Sequence, residues 1–228
     1  MLQALFSIAV ISGSYLFQHV LHPPNPNPDK TVKGDPFRHN KMILLLSLHS
    51  KLVAIFGLCH AILPLLPLRT HESVCPSGYI SGLLSWSAES AVFVASLLCG
   101  GILRFLAIAF HQLQQNFTFA IAKPTRLVRS GLYAYMQHPS YTGAILLVMG
   151  FCALVLRTGG VLTCWSTNPV LDLLGRSLGY LSIVYYALLV ILVIPKRIQQ
   201  EEELLRKSFG EEWVEYHQST ARLIPWVF

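Results

Sequence analysis

Long apolar blocks, separated by polar and proline-bearing connectors, constrain this chain more than any other feature. Residues 1–21, 42–68, 82–110, 138–156 and 173–194 are apolar over roughly the 20 residues that a helix needs to cross a bilayer. Backbone in hydrocarbon must satisfy its own hydrogen bonds, so blocks of this kind read as helices. Composition agrees, with 53% hydrophobic and 12% charged residues, where a soluble domain carries about 25% charged. The expected fold is all-α: a polytopic integral membrane helical bundle of about five transmembrane helices, in one domain over residues 1–228.

The connectors are equally telling. Residues 22–36, HPPNPNPDKTVKGDP, cannot form regular helix, because proline fixes φ and lacks an N–H. Pro64 and Pro67 weaken the far end of the second block, and Pro195 is expected to close the fifth. Residues 157–172 read as a loop, with Gly159, Gly160, Asn168 and Pro169. The first block lacks a basic start and a small-residue cleavage site, so it reads as a retained helix. Gly100 and Gly101 in the third block would let helices approach closely.

The net charge of +6 suggests nucleic acid at first sight. The basic residues are scattered around the apolar blocks, however, which is the pattern of membrane-flanking charge. Five spans place Lys30, Lys33, Arg38, Lys41, Lys123, Arg126, Arg129, Lys196, Arg197, Arg206, Lys207 and Arg222 on one side. The other side holds Arg69, Arg157 and Arg176. The positive-inside rule then puts the C-terminal tail in the cytosol. Lys51 and Arg104 fall within spans. Snorkelling to the headgroups is the commoner explanation for Lys51, and for Arg104 it stands level with a role facing the bundle. There is no CxxC pair among Cys59, Cys75, Cys99, Cys152 and Cys164, so no metal site is expected. Cys75 and Cys164 would share the lumenal side, where a disulfide is permitted and two free thiols are the alternative.

Two polar stretches remain, both assigned to the cytosolic face. The first is GLYAYMQHPSYTG, residues 131–143, which joins a polar loop to the fourth block. His138 and the tyrosines are candidate site residues, or else a solvated histidine in an aromatic belt. The second is the tail. Arg197, Glu201 and Leu205 are spaced by four and share one helix face. Gly210 reads as a helix C-cap, with Glu211 and Glu212 opening a second helix whose start favours negative charge. Trp213 and Tyr216 lie on one side of it. The tail is therefore a pair of amphipathic helices, which could simply rest on headgroups.

Taken together, the two stretches resemble a known family. GLYAYMQHPSYTG is similar to the G-x-Y-x-x-x-R-H-P-x-Y-x-G motif of the isoprenylcysteine carboxyl methyltransferases. Arg197, Glu201, Glu202, Leu205, Phe209, Gly210, Trp213, Tyr216, Ile224 and Pro225 resemble that family's C-terminal signature, R-x-x-x-E-E-x-x-L-x-x-x-F-G-x-x-(W/Y)-x-x-Y…I-P. Leu103, Arg104 and Ala107 are similar to an L-R-x-x-A element in its preceding helix. The resemblance runs from about 102 to 225. Two positions depart from the pattern: Gln137 stands where arginine is usual, and Thr125 where histidine is frequent.

The resemblance implies an enzyme of prenylated protein processing, acting at the endoplasmic reticulum with its active site and tail in the cytosol. It would methyl-esterify the carboxylate of the C-terminal prenylated cysteine of CaaX-type proteins, with S-adenosyl-L-methionine as cofactor. Residues 1–110 would supply N-terminal transmembrane helices and 111–228 the cofactor-binding and catalytic half. Cofactor contacts would come from Thr125, Arg126, Leu127, Val128, Tyr133, His138, Pro139, Ser140, Tyr141 and Glu201. Arg197 would hold the substrate carboxylate, and Arg197 and Glu201 would be catalytic. Alternatives are a membrane phospholipid N-methyltransferase, a sterol reductase relative using NADPH, and a non-catalytic membrane scaffold. The absence of a G-x-G-x-x-G fingerprint argues against a soluble Rossmann methyltransferase.

Overall fold

A computed structural model describes residues 2–20, 40–67, 70, 73–75, 86–109, 121, 124–157, 161–163, 168–225. The connector 22–36 and Cys164 lie outside the described residues. The helices are α1 (Leu2–Val20), α2 (Asn40–Ile62), α3 (Ala88–Ala109), α4 (Pro139–Phe151), α5 (Pro169–Leu188), α6 (Ile194–Phe209) and α7 (Glu211–Ser219). Among the described residues the only extended pairing is a single parallel bridge between Met136 and Ala221.

The core is aromatic and aliphatic. Phe17 of α1 stacks on Phe151 of α4 at 4.3 Å and meets Tyr186 of α5 edge-on at 5.3 Å. Outward positions remain apolar: Leu44, Leu45, Leu48 and Leu52 on α2, and Leu171, Leu174, Leu178 and Leu181 on α5, are exposed. Such faces fit hydrocarbon and not water. Four helical runs, Ile43–Leu65, Ala88–Leu106, Pro139–Leu156 and Pro169–Phe209, are long and apolar enough to cross a membrane. Among the described residues, four of the five expected blocks thus meet this measure. The first block does fold as helix α1, but Gln3, Gln18, His19 and its serines dilute its apolar character. Ser7 and Ser14 face inward, and the Ser14 hydroxyl donates to the Val10 carbonyl at 2.8 Å.

Helices α3 and α4 approach through glycines. A Cβ built on Gly100 would lie 2.6 Å from the Gly143 carbonyl oxygen and 2.5 Å from the Leu147 nitrogen. Backbone sits where a side chain would go, as the paired glycines of the third block imply. At the same end of the bundle, Arg104 of α3 donates to the Ser140 hydroxyl of α4 at 2.7 Å. Arg104 therefore faces the bundle. Glu89, at the opposite end of α3, pairs with Arg157, and Trp86 there donates to the Leu2 carbonyl at 2.7 Å. Lys51 is exposed, as snorkelling requires. Cys75, on the end of the bundle away from Arg104, is disulfide-bonded. Cys59, Cys99 and Cys152 are free.

The second block ends as Pro64 and Pro67 suggest, in a 3-10 turn at Leu63–Leu65. Two expectations in the fifth block fail. Asn168 and Pro169 do not lie in a loop; they start α5, with the Asn168 side chain accepting from the Val170 N–H at 2.9 Å as an N-cap. Pro195 does not stop the helix either. A π turn at Leu189–Val193 precedes it, with the Ile194 N–H reaching back to the Leu189 carbonyl. The wider turn relieves the clash that a proline ring makes with the carbonyl four residues earlier. Its extra residue turns everything downstream by about 100°, and α6 continues with Arg197, Ile198 and Glu202 buried. A second π turn, Cys152–Leu156, completes the fourth span.

At the other end of α6, Gly210 takes φ +56° and ψ −126°, backbone that side chains rarely adopt, with nothing within 4 Å of a built Cβ. The reversal folds α7 back, and Glu211 and Glu212 open it. Trp213 and Tyr216 are both buried on its inner side.

Candidate active site

His138 is the residue before a proline, which disfavours helical backbone there and leaves it as the N-cap of α4 (φ −127°, ψ 56°). Pro139 occupies the first helical position, where a missing N–H costs nothing. The His138 carbonyl accepts from the N–H groups of Tyr141 and Thr142 at 3.1 and 3.2 Å. This fixes the backbone, and the 5%-exposed imidazole is held beneath α6.

Two carboxylates of α6 flank that ring. Nε2 lies 3.2 Å from Glu202 Oε1, and Nδ1 lies 3.8 Å from Glu201 Oε2. Glu201 Oε1 accepts from the Tyr141 hydroxyl and lies 3.7 Å from an Arg197 Nη2. Arg197 Nε donates to the Tyr141 oxygen at 3.2 Å, and Glu202 Oε2 pairs with Arg222. The result is a connected polar run: Arg222, Glu202, His138, Glu201, Tyr141, Arg197. The imidazole of 138 and the guanidinium of 197 therefore sit on opposite sides of one carboxylate, at one end of the bundle.

The last described residues close this arrangement from outside. The Gln137 and His138 N–H groups donate to the carbonyls of Ala221 and Arg222 at 2.8 and 3.0 Å. The Thr142 hydroxyl donates to the Leu223 carbonyl at 2.8 Å. Tyr133, in the 3-10 turn Gly131–Ala134, accepts at its carbonyl from the Tyr216 hydroxyl at 2.7 Å. Burial pushes the Tyr133 phenol well above its usual range, with the Glu201 charge adding to it, so it is a neutral donor at physiological pH.

Of the expected site residues, Tyr133, His138, Ser140, Tyr141, Arg197 and Glu201 come together, with Pro139 setting the backbone. Thr125 and Arg126 are exposed and Leu127 and Val128 half-buried in the run leading to Tyr133. The sequence reading counted Glu202 in the signature and Arg222 among the flanking charges, but gave a site role neither to Glu202, the nearer carboxylate to His138, nor to Arg222 behind it. A signal existed. Ile198 marks the buried face of α6, and Glu202 lies one turn beyond it on that face.

The fold and site define a polytopic helical membrane protein with a polar, arginine- and histidine-bearing site at one end of its bundle. Residues 92–176 match the sequence model of the isoprenylcysteine carboxyl methyltransferase (ICMT) family. The chain is 30% identical over 135 residues to protein-S-isoprenylcysteine O-methyltransferase B of Arabidopsis thaliana, covering 58% of this chain and 56% of that protein. It is 33% identical over 101 residues to protein-S-isoprenylcysteine O-methyltransferase A of the same plant, covering 44% and 40%. It is 28% identical over 142 residues to a probable protein-S-isoprenylcysteine O-methyltransferase of Oryza sativa subsp. indica, covering 60% and 62%. The matches thus span roughly half of these relatives' length.

Proposed function

We propose that this chain is a membrane methyltransferase that esterifies the C-terminal carboxylate of S-prenylated cysteine in CaaX-type proteins. The observation that carries the reading is the shared carboxylate: Glu201 joins His138 and Tyr141 of the motif to Arg197 of the tail, at 3.8 Å from Nδ1 and 3.7 Å from Nη2.

The site's chemistry fits S-adenosyl-L-methionine. Glu201 Oε2 lies beyond hydrogen-bond range of the imidazole and keeps acceptor capacity for an ammonium group. The neutral phenol of Tyr133 and the ring of Tyr141 offer flat apolar surface with a polar tip. When bound, the cofactor supplies an electrophilic methyl on a sulfonium, which leaves as a neutral thioether. The chain's own task is positional. A carboxylate is already ionised at neutral pH, so no base is needed. Arg197 grips it through parallel N–H donors. Glu201 orients Arg197 from one turn away, and Glu202 holds the imidazole from its far side. Holding the reactants in line is worth up to about 7–11 kcal/mol.

The prenyl chain enters from the bilayer between helices, since each buried CH₂ contributes about 0.8 kcal/mol. The polar cofactor arrives from the cytosol. The basic flanks favour that side for the site end of the bundle, and the disulfide-bonded Cys75 at the other end suits an oxidising lumen, that of the endoplasmic reticulum.

The test gives protein in nanodiscs a methyl-labelled donor with farnesyl-cysteine or with phosphatidylethanolamine. Base-labile methyl ester on farnesyl-cysteine is the expected product. Alkali-stable N-methyl product from the phospholipid alone would overturn the assignment. A folded protein giving neither product would make the chain a scaffold.

A further inference from the structure

Gln137 sits immediately before the site histidine, is 7% exposed, and spends its whole side chain on the tail. Its Nε2 donates to the carbonyls of Thr220 and His217 at 2.6 and 3.2 Å. Its Oε1 lies 2.8 Å from His217 Nδ1, which must therefore carry the proton and donate. The His217 ring is itself stacked on Trp213 at 4.5 Å. An amide is suited to this place, because it offers donors and an acceptor together. Arginine would supply the two donors and no acceptor, and would set a cation against the imidazole.

The consequence reaches the site through the backbone. The same residue's N–H is bound to Ala221, the next N–H to Arg222, and Arg222 pairs with Glu202, the carboxylate on His138. Residues 136–142 and 217–223 are thus joined along their length, with the Gln137 side chain at one end of the seam and the Thr142 hydroxyl at the other. We propose that Gln137 and His217 form a neutral latch that holds the tail over the site, making both of them positioning residues for the methyl-donor pocket. This rests on the functional reading above.

Three variants test it: Gln137→Arg, His217→Glu, and the two combined. In the double variant the introduced guanidinium and carboxylate would rebuild the contact as an ion pair. The first readout is amide hydrogen exchange of residues 136–142 and 217–223 in nanodiscs. The second is calorimetric binding of S-adenosylhomocysteine, with KM and kcat measured separately. Gln137→Arg is expected to speed exchange in both segments and weaken the donor analogue about tenfold, the scale of a buried hydrogen bond left unmade. KM for the donor should rise with kcat much less changed, and the double variant should recover most of both losses. Equal exchange in wild type and Gln137→Arg overturns the latch. Faster exchange without any change in analogue affinity overturns its positioning role. A folded wild type that gives no heat with the analogue overturns the functional reading and the positioning role together, while the exchange data still decide the latch.

Discussion

Glu202 offers the sharpest test of how the site is held, because two side chains depend on it in different ways. Its Oε1 is 3.2 Å from His138 Nε2, and Oε2 meets Arg222. Removing one member of a fully buried ion pair costs about 3–5 kcal/mol, and that figure is too large here. The Arg222 side chain is 51% exposed, so water replaces the lost partner and this half contributes little. His138 is 5% exposed and has no such recourse. Glu202→Ala leaves its buried N–H without an acceptor, a loss of about 1–3 kcal/mol. At about 1.4 kcal/mol per tenfold, the affinity for S-adenosylhomocysteine should fall about ten- to hundredfold, with a lower melting temperature. Glu202→Gln keeps an acceptor for His138 and gives up only the Arg222 charge, so its loss should be several-fold smaller. Calorimetry on both variants, beside thermal unfolding in detergent, makes the comparison. An alanine variant that binds and melts like wild type would refute the claim that Glu202 aims the imidazole. So would a glutamine variant as impaired as the alanine one.

Arg197→Ala should reduce turnover at least a hundredfold while S-adenosylhomocysteine affinity changes less than about threefold, by the strength of a charge-assisted pair; Arg197→Lys should recover only part, lacking the planar fork. Gly100→Val must push α3 off α4, because backbone lies 2.5 Å from its Cβ; unfolding in detergent should show a loss of about 1–3 kcal/mol. Burial lowers the His217 pKa below its ordinary 6.5, the nearby Arg222 and His138 also lowering it and Glu202 opposing. The unfolded chain then takes up this proton first, so stability holds above about 6.5, falls as pH drops below that, and levels off below the folded value. His217→Gln should remove this part of the slope in melts from about pH 8 to pH 5.

The apolar blocks, the turn at Pro64, the His-Pro start of α4 and the Gly210 reversal were legible in the residues, because each is fixed by its immediate neighbours in sequence. Length and apolarity set where helices run, and a residue before proline is biased out of one. The face of α6 was only half legible. Spacing placed Arg197 and Glu201 together, while the π turn before Pro195 decided how far that face rotates, and so that Glu202 also reaches His138. Arg104 turning inward to Ser140, and residues 221–223 lying along 136–142, were decided by tertiary structure alone. Each depends on the rotation and offset of one segment against another far away in sequence. A shift of one residue turns a helix by about 100°, and no local pattern carries that angle.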